Sequence, residues 1–192
     1  GLVDIALWDL AAQQAGVPLW RHLGGSAQTP PRVPTMMVAA YPDTGRSPES
    51  LAEDVVRYAS EGYPLLKLAR DAESDRMRRL LERAADGLPP TARLVVDAGF
   101  GWRTAEEALA ELPRWNAPPL AWLEDPLVPE DAEGCAAIRR ACPHPLGVGD
   151  EVTHIATYRA LLAAGAIDVL RLDLVAIGGI TPARHVLGLA AD

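Results

Sequence analysis

Three short apolar runs decide the fold, and each ends in a carboxylate: Leu94-Val95-Val96-Asp97, Leu120-Ala121-Trp122-Leu123-Glu124 and Leu146-Gly147-Val148-Gly149-Asp150. The acids follow one another at intervals of 27 and 26 residues, about one strand-plus-helix unit. Apolar runs of this length are typical of buried strands. If consecutive parallel strands carry the acids at their carboxyl ends, the three carboxylates meet at one face of a barrel. That arrangement predicts a site for a hard divalent cation.

On both sides of these runs, strand patterns alternate with amphipathic helix patterns. The predicted strands are residues 33–40, 65–69, 93–98, 121–124, 146–150 and 169–173. The predicted helices are residues 47–60, 71–85, 104–115, 131–141, 154–164 and 181–191. Ser47, Thr104 and Thr181 are the expected N-caps of three of these helices.

Strands that are mostly followed by a helix form a parallel sheet, either an open doubly wound sheet or a barrel. Periodicity leaves both open, but an open sheet would spread the acids along a line, which favours the barrel. The predicted fold class is therefore α/β, a partial TIM-type (β/α) barrel with six strands. A complete barrel of this type has eight strands in about 250 residues.

The chain divides into two predicted parts. Residues 1–28 form a helix leading into the barrel, because apolar residues recur there at helical spacing and Gly24-Gly25 is a helix stop. A proline-rich linker is expected around Pro30-Pro31 and Pro34. Residues 29–192 form the incomplete barrel domain.

Composition excludes several classes of partner. The 192 residues are 49% hydrophobic and 23% charged, which is ordinary for a globular protein. The net charge of −8 argues against nucleic acid or an anionic membrane surface as a partner. Cys135 and Cys142 make no disulfide framework, and no signal peptide or membrane-length apolar stretch is present. We therefore expect a cytoplasmic protein.

Five motifs follow one another along nearly the whole chain. They are Val3-Asp4-Ile5-Ala6-Leu7-Trp8-Asp9-Leu10 with Pro18-Leu19-Trp20 and Leu23-Gly24-Gly25, Val96-Asp97-Ala98 with Gly101-Trp102, Leu123-Glu124-Asp125-Pro126-Leu127, Gly149-Asp150-Glu151, and Asp173 with Ile177-Gly178-Gly179-Ile180-Thr181. In this order and at this spacing, they resemble the mandelate racemase and muconate-lactonizing branch of the enolase superfamily.

This resemblance implies a modified (β/α)7β barrel, an N-terminal α+β capping domain and one Mg²⁺ ion. The chain is then expected to lack the capping domain and the seventh and eighth strands. The resemblance also implies a homo-oligomer and a small-molecule carboxylate substrate.

Asp97, Glu124 and Asp150 are the predicted metal ligands. Three carboxylates leave three positions of an octahedral ion for substrate and water, and an all-oxygen set favours Mg²⁺ or Mn²⁺ over zinc. Glu151 is the rival for the third position, since successive side chains of a strand point to opposite faces and one of the two can face the metal. The Gly-acid step of the family favours Asp150.

Lys67 and Asp173 are the predicted catalytic residues. Lys67 is the one lysine among 18 basic Lys and Arg residues, and it lies where the family often carries Lys-x-Lys. Ala69 takes the position of the second lysine, which is the usual base. Lys67 is therefore expected to stabilise the negative charge of the substrate. The resemblance makes Asp173 the acid that orients a histidine base on a seventh strand, beyond Asp192. Pairing with Arg171 or capping of the last helix is the alternative for Asp173.

The predicted reaction removes the proton α to a carboxylate, with stabilisation of the enediolate that forms. With one histidine base and no second lysine, we expect an acid-sugar dehydratase, a hydro-lyase that yields a 2-keto-3-deoxy acid. The alternatives are a racemase or epimerase of a 2-hydroxy acid, and a truncated, catalytically inactive fragment.

Overall fold

The computed structural model describes residues 1–26, 28, 32–42 and 45–191. In this part of the chain, six parallel strands form one sheet in sequence order. The strands are β1 (Met36–Ala40), β2 (Leu65–Ala69), β3 (Arg93–Asp97), β4 (Trp122–Glu124), β5 (Leu146–Val148) and β6 (Val169–Leu170). The helices are α1 (Leu2–Gln14), α2 (Leu19–His22), α3 (Pro48–Ser60), α4 (Ser74–Gly87), α5 (Ala105–Glu111), α6 (Ala132–Ala141), α7 (Ile155–Ala163) and α8 (Ile180–Ala191). This is the predicted partial TIM-type barrel.

The register of the sheet brings the acidic strand ends together. Asp97 is the last residue of β3, and its register partner is Glu124, the last residue of β4. Lys67 of β2 pairs with Val95, which lies on the same face as Asp97 two residues further on. The side chains of Lys67, Asp97 and Glu124 therefore lie on the same face of the sheet.

The opposite face of the strands packs against the helices and forms the core. Leu66 and Leu68 of β2, and Leu94 and Val96 of β3, are almost completely buried in one apolar cluster with residues of α3 and α4. These strands are buried on both faces, as expected for a parallel sheet covered by crossover helices. The closely packed sheet fixes the strand ends that carry the acids.

Helix starts follow the predicted capping chemistry. The Ser47 hydroxyl accepts a hydrogen bond from the Ser50 N–H at the start of α3 (3.2 Å), with Pro48 at the first helical position. Thr104 accepts from the Glu107 N–H at the start of α5, and Glu107 in turn accepts from the Arg103 N–H. The prediction of Thr181 as the N-cap of α8 was wrong, since this helix begins at Ile180 and Thr181 lies inside it.

The opening stretch differs from the continuous helical pattern. It is two helices, because Gly16 has a positive φ of 68° and Pro18 disfavours helical backbone at Val17. The predicted linker residues Pro30 and Pro31, and residue 29 at the domain boundary, lie outside the described residues, so the boundary stays a prediction.

Cys135 and Cys142 are free thiols. Within the described ranges, none of the helices has the length and apolar character needed to span a bilayer.

Candidate metal centre

The carboxylates of Asp97, Glu124 and Asp150 lie at the carboxyl ends of β3, β4 and β5. Asp97 and Glu124 end their strands, and Asp150 follows β5 by two residues. The Glu124 side chain is only 1% exposed, whereas Asp97 and Asp150 reach the edge of the site. Buried carboxylates are stable only when they are paired or bind a cation.

Two cationic side chains neutralise part of this acid cluster. Lys67 Nζ lies 2.8 Å from Asp97 Oδ2 and 2.5 Å from Glu124 Oε1. Arg171, just after β6, places a single nitrogen, Nη1, 2.8 Å from Glu124 Oε1 and 2.9 Å from Asp150 Oδ2. Both cations thus contact the same oxygen of Glu124. The Trp122 indole N–H donates to the other Glu124 oxygen (3.0 Å).

Asp125 is a fourth carboxylate that sequence reasoning did not assign. Its backbone is left-handed, with a φ of 44°. Its Oδ1 accepts from the backbone N–H groups of Gly149 (2.9 Å) and Asp150 (3.3 Å), and its Oδ2 contacts Arg171 Nη1 at 2.8 Å. Asp125 therefore holds the loop that carries Asp150 against the end of β4.

Within the described part of the chain, oxygens of Asp97, Glu124 and Asp125 all lie within 4.8 Å of one another. Asp125 belongs to this compact group in place of Asp150, although its hydrogen bonds already engage both of its oxygens. Asp150 joins the cluster through Arg171, while the Glu151 side chain is exposed. The assignment of Asp150 as the third ligand remains a prediction, and Asp125 becomes a second rival beside Glu151.

The carboxylates of the cluster stabilise the protonated forms of Lys67 and Arg171. Burial acts to lower the pKa of Lys67, but the hydrogen bonds and negative charges of Asp97 and Glu124 outweigh it and raise the pKa. Arg171 behaves in the same way, because the nearby carboxylates overcome the effect of burial on its pKa. Burial raises the pKa of Asp125 in spite of its hydrogen bonds. Lys67 is thus a charged donor in this arrangement and a poor proton acceptor.

The donor set fits a hard divalent cation. Asp97, Glu124, Asp125 and Asp150 contribute only oxygen atoms, which Mg²⁺ and Mn²⁺ prefer. Lys67 and Arg171 supply two positive charges against four carboxylates, which leaves a formal charge of −2. One divalent cation would balance that charge.

Asp173 lies three residues after β6, near the same end of the sheet. Its Oδ1 accepts from the backbone N–H groups of Val175 (2.7 Å) and Ala176 (3.0 Å), so it caps the turn that precedes α8. Arg171 is directed at the acid cluster instead of at Asp173. The role of Asp173 in orienting a histidine remains a prediction, as does the role of Lys67.

Tyr158 of α7 is a further residue that the sequence did not single out. Its buried hydroxyl lies 3.0 Å from both the Gly149 carbonyl oxygen and the Arg171 carbonyl oxygen. Gly149 has a φ of 138°, and a Cβ atom there would overlap the Arg171 carbonyl. A glycine is therefore required before Asp150 for the ends of β5 and β6 to approach each other.

The fold and the site together define a partial TIM-type barrel with an acid cluster at the carboxyl ends of successive strands. The chain belongs to the enolase C-terminal domain-like family, whose model matches residues 50–192. This family membership confirms the predicted enolase-superfamily relationship, which rested on short motifs.

Three relatives illustrate the range of the family. The chain is 31% identical to 3,6-anhydro-alpha-L-galactonate cycloisomerase of Streptomyces coelicolor, over 98% of this chain and 51% of the relative. It is 29% identical to D-Ala-D/L-Ala epimerase of Cytophaga hutchinsonii, over 97% of this chain and 49% of the relative. The crystal structure of L-talarate dehydratase from Polaromonas sp. JS666, complexed with Mg and L-glucarate, matches with a TM-score of 0.86 and 26% identity.

The match to the L-talarate dehydratase covers 100% of this chain and 52% of that chain. The chain likewise spans about half the length of the curated relatives it matches.

Proposed function

We propose that this chain belongs to an enzyme that removes the proton α to the carboxylate of an acid sugar and then eliminates water. The observation that carries the proposal is the cluster of buried and half-buried carboxylates, with Lys67 among them, at the carboxyl ends of neighbouring strands. The relatives supply the substrate class, since the matched dehydratase was crystallised with Mg and L-glucarate. The expected product is a 2-keto-3-deoxy acid.

Asp97, Glu124 and Asp150 would hold the Mg²⁺ or Mn²⁺ ion through carboxylate oxygens. When bound, such an ion supplies a Lewis acid that stabilises negative charge on the substrate carboxylate. Lys67 would contribute a fixed positive charge beside it, because the carboxylates around it keep its ammonium group protonated. Asp173 would orient a histidine that acts as the base.

Epimerisation of a 2-hydroxy acid is the second candidate. The match to D-Ala-D/L-Ala epimerase favours epimerisation as the reaction, but the name of that relative gives a different substrate. A two-base mechanism needs proton acceptors on both faces of the substrate carbon. Ala69, at the end of β2, cannot accept a proton, and Lys67 is held by two carboxylates. Dehydration requires only one base, which later acts as an acid. The residues at this site therefore fit dehydration better than a two-base epimerisation.

We also propose a cytoplasmic location and a homo-oligomeric assembly. The free thiols of Cys135 and Cys142 are compatible with a reducing compartment. The homo-oligomer is proposed on the family resemblance alone.

The first experiment measures metal binding by the purified chain, with Mn²⁺ titrated and the free ion followed by electron paramagnetic resonance. Asp97→Asn removes one predicted ligand charge and is expected to weaken Mn²⁺ binding by at least about a hundredfold. Asp168→Asn is the matched control, because Asp168 also pairs with an arginine but lies outside the acid cluster. Equal Mn²⁺ affinity in wild type and Asp97→Asn would reject this metal centre.

The second readout is product analysis. Acid sugars incubated with Mg²⁺ and the whole enzyme to which this chain belongs are expected to give 2-keto-3-deoxy acids, detected by proton NMR. Asp97→Asn is expected to abolish their formation. A product mixture that contains only epimerised acid sugars would favour the epimerase over the dehydratase.

A further inference from the structure

We infer that Arg171 is a built-in cation that competes with a divalent metal ion for the acid cluster and thereby sets the metal affinity of this protein. The inference rests on the proposed metal centre. Arg171 was assigned no role by the sequence motifs, yet it contacts three carboxylates at the site.

The position of one atom suggests the competition. Arg171 Nη1 lies 2.8 Å from Glu124 Oε1, 2.8 Å from Asp125 Oδ2 and 2.9 Å from Asp150 Oδ2. A guanidinium Nη group has two N–H donors, so it cannot donate a separate linear hydrogen bond to each of three carboxylates. This atom instead lies where the three oxygens converge, and two of the three residues, Glu124 and Asp150, are proposed metal ligands.

Glu124 is the residue over which the cations compete. Its Oε1 already contacts both Lys67 Nζ and Arg171 Nη1, and its other oxygen accepts from Trp122. An added metal ion that bound Glu124 would meet two positive charges at one oxygen. At least one of these contacts must therefore lengthen when a divalent ion binds.

Arg171 is better placed to move than Lys67. The Lys67 side chain is 8% exposed and projects from a central strand, whereas the Arg171 side chain is 29% exposed and follows the short edge strand β6. The hydroxyl of Tyr158 holds the Arg171 backbone carbonyl, so the backbone can stay in place while the guanidinium shifts. Asp125, which is not among the proposed metal ligands, can retain the guanidinium after it leaves Glu124.

The test compares Mn²⁺ binding by wild type, Arg171→Gln and Arg171→Lys at one fixed ionic strength. Arg171→Gln removes the competing charge and is expected to bind Mn²⁺ about tenfold more tightly. Arg171→Lys keeps the charge and is expected to bind with nearly wild-type affinity. Arg139→Gln is the control, because it changes the net charge equally but disrupts the ion pair with Asp168, outside the cluster.

A second measurement uses the wild-type chain and needs no variant to fold. Saturation with Mg²⁺ is expected to shift the NMR resonance of the Arg171 Nε–H group and to leave that of Arg139 unchanged. Saturation that leaves the Arg171 resonance unmoved would overturn the competition, and so would Arg171→Gln with unchanged or weaker Mn²⁺ affinity.

These results separate the inference from the proposed function. If Asp97→Asn loses Mn²⁺ while Arg171→Gln binds like wild type, the metal centre stands and the role of Arg171 is rejected. If Asp97→Asn binds Mn²⁺ as well as wild type does, the metal centre fails, and the inference fails with it.

Discussion

Asp125 shows how a single residue organises the site without being one of the predicted ligands. It adopts left-handed backbone directly after Glu124, a conformation that aspartate and asparagine tolerate better than other residues with a Cβ atom. This backbone turn lets its carboxylate reach across to the N–H groups of Gly149 and Asp150. The acid after Glu124 thus fixes the loop that bears the third predicted ligand.

Replacing Asp125 tests this role through stability. Asp125→Ala leaves two backbone donors without their acceptor and places alanine in left-handed backbone, so we expect a loss of about 3 kcal/mol in the free energy of unfolding. Asp125→Asn keeps one acceptor oxygen and the tolerance of left-handed backbone, and should lose about 1 kcal/mol. Urea unfolding measures both values. Equal losses in the two variants would show that the backbone hydrogen bonds to Asp125 are not important.

The sequence predicted part of the site at the residue scale. Asp97 and Glu124 could be placed together because strand ends of a parallel sheet share an edge. Asp125 and Arg171 could not, because their contacts depend on a left-handed turn and on the reach of a long side chain. Arg171 is one of many arginines, and the predicted strand 169–173 placed it inside a strand, whereas β6 ends at Leu170.

At the scale of elements, helix α7 joins the ends of β5 and β6 through one side chain. The Tyr158 hydroxyl lies within hydrogen-bond distance of a carbonyl oxygen at each strand end. The phenol ring itself is completely buried, and burial raises its pKa to about 12. Tyr158 therefore stays neutral and stabilises the edge of the sheet next to the acid cluster.

Tyr158→Phe should weaken this edge while it preserves the apolar packing of the ring. We expect the free energy of unfolding to fall by about 1 to 2 kcal/mol, because the two carbonyl oxygens lose the one O–H donor that they share. Amide hydrogen exchange should rise around β5 and β6 more than in β2 and β3. Tyr63→Phe, which removes a hydroxyl near the amino end of β2, is the control. An equal effect of both substitutions would contradict the proposed link.

How accurately the ends of a strand were predicted depends on its burial between neighbouring strands. The bounds of β2 were predicted correctly, because Leu65–Ala69 lies between two neighbouring strands and is apolar apart from Lys67. Strand β6 was predicted to be longer than Val169–Leu170, since the apolar pattern continues beyond the last register pair with β5. Apolar periodicity thus identified the strands but did not show where pairing stops.

At the scale of the whole molecule, the two ends of the sheet have different properties. The carboxyl end gathers charged groups, as described for the acid cluster. The amino end has an apolar cavity of about 770 Å³, lined by residues that include Leu112, Leu120, Cys142 and His144. Barrels of this type commonly place chemistry at the carboxyl end and stability at the amino end. We therefore expect ionisable groups at the amino end to affect folding more than metal binding.

His144 makes this expectation measurable as a pH dependence. It lies between α6 and β5, where burial lowers its pKa below the ordinary value of 6.5. Its Nδ1 accepts a hydrogen bond from the Leu120 N–H (3.4 Å), which requires a neutral ring nitrogen. The unfolded chain therefore takes up the proton first as the pH falls. The stabilisation is fully present above pH 6.5 and is lost as the pH falls from there through the lower folded-state pKa.

His144→Asn should flatten this part of the stability profile, because the asparagine oxygen can accept from Leu120 and does not titrate. Unfolding free energies measured by urea denaturation between about pH 8 and about pH 5 give the profile. His185→Asn, at an exposed position of α8, should leave the slope of the wild type unchanged. If the pH dependence of the wild type persisted in His144→Asn and disappeared in His185→Asn, the prediction for His144 would be wrong. Mn²⁺ affinity should be the same in His144→Asn and wild type, since His144 lies at the opposite end of the sheet from the acid cluster.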